Sequence, residues 1–175
     1  MPLTKTIFRE DCLNKIKNSS KHNHLYKNAK IGTKLLLELK KFKFTKILFY
    51  ISMPFEADTS KSIKLLRKKY DVFVPLKKKK FGIYEAGNSL KKIKNIDIAV
   101  VPIVGVDGNL QRVGFGKGMY DRFFAKLKKR PYIIFLQSEF CYTKEFICDE
   151  YDVKCDVVIT PYMKVQNKNI AIKRK

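Results

Sequence analysis

Three glycines at alternate positions form the strongest chemical signal in this sequence. The stretch at residues 111–127 reads QRVGFGKGMYDRFFAKL, and its glycines are Gly114, Gly116 and Gly118. Glycine allows positive φ and lets a ligand approach the backbone closely. A loop that leads into a helix offers free N–H groups to an anion, and Arg112 and Lys117 add positive charge suited to phosphate. The pattern predicts a phosphate-binding turn; a flexible surface loop before a helix is the alternative.

General nucleotide motifs do not fit this stretch. A P-loop requires Ser or Thr after its lysine, but Lys117 is followed by glycine. The glycine spacing also differs from the G-x-G-x-x-G pattern of dinucleotide-binding turns. The phosphate hypothesis therefore depends on the glycines and the basic residues alone.

Residues 101–124, VPIVGVDGNLQRVGFGKGMYDRFF, resemble the signature of the 5-formyltetrahydrofolate cyclo-ligase family, whose pattern reads roughly P-G-x-x-F-D-x-x-G-x-R-L-G-x-G-x-G-Y-Y-D. The matching residues are Pro102, Asp107, Arg112, Gly114, Gly116, Gly118, Tyr120 and Asp121. Three positions depart from it: Val106 replaces an aromatic residue, Phe115 replaces the usual Arg, and Met119 replaces the first Tyr of the pair. The resemblance implies one cyclo-ligase-like domain over residues 1–175.

The resemblance implies an enzyme that converts 5-formyltetrahydrofolate to 5,10-methenyltetrahydrofolate, with ATP hydrolysed to ADP and phosphate. A basic residue and an Arg near the N-terminus of the family contact ATP, and Lys5 and Arg9 match them. Arg112, Lys117 and Tyr120 are the implied catalytic residues. The implied ATP-binding residues are Lys5, Arg9, Arg112, Val113, Gly114, Phe115, Gly116, Lys117, Gly118, Met119 and Tyr120.

The folate and metal sites are implied by the same resemblance. Glu56 matches a family glutamate that binds the pterin ring, and a solvated loop carboxylate is the alternative. The implied substrate-binding residues are Ile51, Glu56, Phe81, Phe115, Met119 and Tyr120. Asp121 and Asp156 match a pair that binds magnesium, the implied cofactor; for Asp156 an ordinary aspartate at a strand edge is the alternative.

The elements that must position these residues alternate between helix and strand. Periodic apolar residues predict helices at 4–17, 22–41 and 61–70, the last with Thr59 as N-cap, and another after Gly118 that ends near Arg130. Apolar β-branched runs predict strands at 46–52, 71–75, 96–101, 132–136 and 156–160, with a hairpin strand at 81–84 and a loop or short helical segment at 88–95. This order predicts an α/β fold: a single three-layer Rossmann-like domain with a mostly parallel open sheet.

Charge and composition limit the function classes. The formal net charge of +22 suits an RNA-binding or ribosome-associated module, yet the lysines are scattered along the chain, so a solvated lysine surface is favoured and nucleic acid is not the expected partner. A folate-binding family member without turnover is a third possibility.

The four cysteines form no C-x-x-C motif, and no run of 18 apolar residues predicts a membrane span. A cytoplasmic monomer with small-molecule substrates, reduced folate and ATP, is expected.

Overall fold

The computed structural model describes residues 2–19, 23–77, 81–85, 88–93 and 95–167. Its helices are α1 Lys5–Ser19, α2 His24–Leu39, α3 Ser60–Leu66 and α4 Met119–Phe124. Its strands are β1 Lys46–Leu48, β2 Asp71–Lys77, β3 Phe81–Glu85, β4 Asn88–Lys92, β5 Ile98–Pro102, β6 Gly105–Val106, β7 Arg112–Val113, β8 Tyr132–Leu136, β9 Val157–Ile159 and β10 Lys164–Gln166.

One open sheet carries most of these strands, in the order β10-β9-β8-β5-β1-β2-β3-β4. The five central strands from β9 to β2 are parallel, and the outer strands β10, β3 and β4 are antiparallel. Strand β5 is buried at every position, as expected where both faces of a parallel sheet are covered. The predicted α/β fold with a mostly parallel open sheet is confirmed. Strands β6 and β7 form a separate hairpin.

The direction of strand order reverses between β1 and β5. The chain moves from β1 through α3 to its neighbour β2, and from β5 through α4 to β8 on the other side. Because such crossovers are right-handed, α3 and α4 lie on opposite faces of the sheet, which gives three layers. A reversal of this kind leaves a crevice at the carboxyl ends of the two central strands, where open α/β sheets bind ligands.

Helix α1 packs against the segment that follows β5. Its apolar residues Phe8, Cys12 and Ile16 are four apart, so they lie on one stripe of the helix. They form a small core with Val104, Val113 and Cys141, separate from the main core that covers the sheet. The first helix is therefore packed against the hairpin that leads into the glycine loop.

Three sequence predictions of local structure were wrong in type or length. Residues 88–92 form β4, not a loop or helical segment, because the edge of β3 offers unpaired backbone groups and an edge strand tolerates lysines. Helix α4 ends at Phe124 instead of near residue 130, since the amides of Lys126 and Leu127 bond three residues back and tighten the turn. Strand β1 stops at Leu48 instead of residue 52, although the Phe49 amide still bonds the Phe73 carbonyl of β2 at 2.8 Å.

Within the described ranges, no helix is both long and apolar enough to span a membrane. The cysteines are free thiols: Cys12, Cys141 and Cys155 are buried, and Cys148 is half-buried.

Candidate functional site

A pocket of about 490 Å³ lies in the crevice between β1 and β5. This volume is in the range of small-molecule sites. The pocket is built from the segment after β1, one residue of β2, the end of β5 and the glycine loop. Its lining residues are Tyr50, Ile51, Met53, Phe55, Glu56, Pro75, Pro102, Arg112, Phe115, Lys117, Gly118, Met119 and Tyr120. The fold thus brings half of the candidate site residues from the sequence to one cavity.

Arg112 is a buried cation on the pocket wall, with 6% of its surface exposed. Its Nε donates to the Pro102 carbonyl at 3.1 Å, and Nη1 lies 3.7 Å from Asp121 Oδ2. The guanidinium carbon lies 5.0 Å from the ring centroid of Tyr120, within cation–π range. Burial lowers the pKa of Arg112, and the charge of Asp121 opposes that shift. A guanidinium held in place in this way is preorganised to stabilise an anion.

The three glycines of the loop are required for two different reasons. Gly116 and Gly118 have φ of 88° and 56°, in the left-handed region that disfavours residues with a Cβ. Gly114 is required by space, because a Cβ there would lie 2.5 Å from Cζ and 2.6 Å from Nη2 of Arg112. The alternate spacing thus combines a sharply turned loop with close approach to the buried arginine.

Arg9 and Lys5, one helical turn apart on α1, have different partners. Arg9 Nε donates to the Gly114 carbonyl at 2.7 Å, and its Cζ lies 4.0 Å from where a Cβ on Gly116 would be. Lys5 Nζ instead pairs with Asp152, and with Asp149 Oδ2 at 3.3 Å. Arg9 therefore lies at the glycine loop as expected. The ammonium of Lys5 is paired with two carboxylates, and its implied ATP contact stays a prediction.

Glu56 places a carboxylate in the pocket opposite the basic loop. Only 8% of its surface is exposed, and its Oε2 accepts a hydrogen bond from the Met53 amide at 2.8 Å. In the part of the chain that the structure describes, Oε1 accepts no hydrogen bond. Burial raises the pKa of Glu56, while the Met53 amide and the charge of Arg112 oppose the shift. The free oxygen can therefore accept from a ligand N–H group.

The loop after β1 is held by side chains beneath it. Tyr50 donates from its hydroxyl to the Ala57 carbonyl at 2.6 Å, and Thr59 Oγ1 donates to the Tyr50 carbonyl at 2.8 Å. Thr59 is at the N-cap position of α3, but it makes no capping hydrogen bond. The Ser60 amide bonds Asp58 Oδ1 at 2.9 Å instead. The prediction of Thr59 as the N-cap residue is confirmed in position, but its hydroxyl closes the loop that carries Glu56 and does not cap the helix.

The implied magnesium pair does not fit a magnesium site in this structure. Asp156 is 1% exposed, and its Oδ2 accepts from the Ile133 amide at 2.6 Å and from Arg130 Nη1 at 2.8 Å. Asp121 Oδ1 accepts from the Val153 amide at 3.2 Å, and its other oxygen faces Arg112. Among the described residues, no three or more His, Cys, Asp or Glu side chains are grouped to hold a metal. The two aspartates have different partners, and the contacts of Asp156 favour a structural role over the implied metal role, which a variant can test.

We expect Asp156→Asn to change stability and not metal dependence. The carboxylate holds a buried amide and a guanidinium, so its loss should lower the free energy of unfolding by about 1.5–3 kcal/mol, the range for hydrogen bonds to charged groups. Urea unfolding measures this loss, and Asp11→Asn, at an exposed position of α1, is the control. A variant of normal stability whose activity needs more magnesium would restore the metal role.

Several residues at the site were not predicted to have a role there. Phe55 directly precedes Glu56, so its position beside a predicted ligand residue was an available signal. Pro75 reaches the pocket from the neighbouring strand β2, which no local pattern indicates. Asp107 is fully buried; its Oδ1 accepts from the amides of Asn109 at 3.0 Å and Gln111 at 2.9 Å. The signature aspartate therefore shapes the turn before the glycine loop.

The remaining residues implied by the family resemblance differ in where the structure places their side chains. The Val113 side chain is fully buried in the α1 cluster, so only its backbone can serve the loop. Met119, Phe115 and Ile51 line the pocket. Phe81 begins β3, and its side chain lies outside the described part of the structure. The binding roles of all these residues stay predictions.

An open α/β domain with a pocket at its switch point, lined by a buried arginine, a glycine loop and a carboxylate, has the architecture typical of small-molecule sites. The 5-formyltetrahydrofolate cyclo-ligase family matches residues 3–161 of this sequence, and the chain belongs to that family. The match includes the glycine loop, Glu56 and all the helices. It confirms the resemblance drawn from the signature.

Individual relatives match shorter segments. The 5-formyltetrahydrofolate cyclo-ligase of Mycoplasma pneumoniae is 36% identical over 64 residues, which are 37% of this chain and 38% of the relative. A probable 5-formyltetrahydrofolate cyclo-ligase of Schizosaccharomyces pombe is 30% identical over 103 residues, 50% of each chain. The matched segments thus span half or less of these relatives.

The fold is similar to solved structures over nearly its whole length. A 5,10-methenyltetrahydrofolate synthetase from Mycoplasma pneumoniae superposes with a TM-score of 0.79, covering 91% of this chain and 99% of the other at 23% identity. At that level of identity the similarity establishes the fold alone.

Proposed function

We propose that this chain converts 5-formyltetrahydrofolate to 5,10-methenyltetrahydrofolate at the expense of ATP, releasing ADP and phosphate. Membership of the cyclo-ligase family supports this reaction. The observation that carries the proposal is the pocket, in which the buried cation Arg112 and the glycine loop face the carboxylate of Glu56. An anion and a ring with N–H donors can therefore be held side by side.

The Glu56 carboxylate favours a pterin over an adenine ring. The pterin of a reduced folate presents an amino group and an adjacent ring N–H, both donors, along one edge. Adenine presents its amino group beside a ring nitrogen that accepts, so a carboxylate would meet a lone pair. Glu56 Oε2 accepts from the Met53 amide, and Oε1 accepts no hydrogen bond within the described chain. The carboxylate can only accept, so it suits the pterin edge, which carries two donors. The hydrogen-bonding pattern therefore favours the folate on the Glu56 side of the pocket, and the glycine loop remains for the triphosphate of ATP.

The basic loop would act mainly by positioning and neutralising charge. The formyl oxygen on N5 attacks the γ-phosphorus, and the bond from that phosphorus to the β-phosphate oxygen breaks to release ADP. N10 then attacks the activated formyl carbon, loses its proton and closes the ring as phosphate leaves. Arg112, Lys117 and Arg9, with the loop amides, would hold the charge that moves between these oxygens. Tyr120, held under Arg112, would lie beside the formyl group.

An absorbance assay tests the proposed reaction. The purified protein is mixed with 5-formyltetrahydrofolate, ATP and a magnesium salt near pH 6, and methenyltetrahydrofolate is followed by its absorbance. We expect product to form only when folate and nucleotide are both present. Folate binding without product under these conditions would instead identify a family member that has lost turnover.

Glu56→Gln should weaken folate binding and leave ATP binding nearly unchanged. The variant keeps the shape of the side chain but removes the charge that strengthens a hydrogen bond from the pterin, a loss of about 1.5–3 kcal/mol. Calorimetry with each ligand separately measures the two affinities. Glu150→Gln, at an exposed position of the segment before β9, is the control. Normal folate affinity in Glu56→Gln would exclude Glu56 from the site.

A further inference from the structure

Phe115 does not extend from the glycine loop towards solvent, although its neighbours Gly116 and Lys117 are exposed. Its ring packs on Phe55, with the centroids 5.7 Å apart and the planes inclined by 56°. Both rings line the main pocket. Both also line a small second cavity, together with Ile16, Ile103 and Leu136.

This aromatic pair gives the pocket an apolar wall beside its charged groups. Phe55 directly precedes Glu56 in the chain, and Phe115 lies two residues from Lys117 in the loop. Phenyl rings offer no hydrogen bond to a phosphate oxygen, whereas they pack favourably against another ring. Positive charge near the loop comes from Arg9, Arg112 and Lys117, which can neutralise a phosphate as the phenyl rings cannot.

We propose that Phe55 and Phe115 together determine specificity for the ring system of the folate and make no contribution to ATP binding. The inference rests on the proposed function, because it identifies the ligand as the folate that Glu56 orients. It also gives a role to Phe115, which stands where the family usually has Arg: the position contributes ring contact on the folate side instead of charge on the phosphate side.

The test uses leucine variants, which retain apolar volume beside the small cavity. Phe55→Leu and Phe115→Leu should each raise the KM for 5-formyltetrahydrofolate about threefold to tenfold, the range expected when one aromatic contact is lost. The KM for ATP and kcat should stay within about twofold of normal, and the double variant should raise the folate KM by less than the product of the single effects, since the rings act as a pair. Phe146→Leu, at a phenylalanine 71% exposed and outside the pocket, is the matched control.

A purely structural role would change the thermal midpoint and both KM values together, so the split between the two substrates decides the inference. If the wild-type protein turns over and the leucine variants keep its folate KM, or shift the KM for ATP equally, the aromatic pair is not a specificity determinant and the proposed reaction stands. Calorimetry of the wild-type protein with 5-formyltetrahydrofolate alone tests separately whether the protein binds folate at all. Absence of folate binding there would overturn the proposed function and this inference with it.

Discussion

Gly114→Ala should lower kcat/KM by about 100- to 1000-fold, the effect of losing one preorganised charge-stabilising group. An added Cβ would lie 2.5 Å from the guanidinium carbon of Arg112, which is buried and held by the Pro102 carbonyl. The guanidinium must therefore move away from the place where it faces the pocket. The φ of Gly114 is not in the left-handed region, so the backbone is not strained by the change. The loss should appear in kinetics more than in stability.

Gly32→Ala is the matched control for this variant. Gly32 lies inside α2, and nothing is within 4 Å of an added Cβ there. Alanine should stabilise the helix by about 0.5–1 kcal/mol and leave the kinetics unchanged. Thermal melting and steady-state kinetics on both variants separate the effect at the site from a general effect of adding a methyl group. Normal kinetics in a folded Gly114→Ala protein would mean that the position of Arg112 does not matter for turnover.

Gly116→Val should reduce ATP affinity by about 100-fold or more while the protein remains folded. Gly116 has φ of 88°, and a valine there would carry a strain on the order of 1–2 kcal/mol. The protein itself leaves room for the side chain, since its closest neighbour within 4 Å of an added Cβ is Arg9 Cζ at 4.0 Å. That open space at the exposed crest of the loop is where the phosphates would lie. The valine methyl groups would occupy it and force the loop out of its turn.

The same variant distinguishes nucleotide binding from RNA binding. The net charge of +22 comes from lysines dispersed along the chain, so polynucleotide affinity should survive a change at one glycine and fall steeply with added salt. Calorimetry with ATP and filter binding with a single-stranded RNA, both on Gly116→Val, give the comparison. Unchanged ATP affinity in a folded variant would remove the glycine loop from the nucleotide site.

The sequence by itself determined the features that depend on neighbouring residues. The buried strands β5 and β8 were evident from continuous apolar β-branched runs, and α1 from apolar residues spaced along one stripe. The loop glycines were evident from their spacing, because positive φ at Gly116 and Gly118 is a local backbone property. The alternation of helices and strands was sufficient for the α/β fold. These signals act within one strand or a few helical turns.

Tertiary structure alone decided which distant groups meet. Lys5 and Arg9 lie on the same helix, yet Lys5 pairs with Asp152 whereas Arg9 reaches Gly114. The resemblance implied a metal role for Asp156, and only the fold shows that its carboxylate pairs with Arg130. The wall formed by Phe55 and Phe115 likewise joins two loops that follow different strands. Partner choice for a charged or aromatic side chain depends on which segments the sheet order brings together, and no local pattern contains that order.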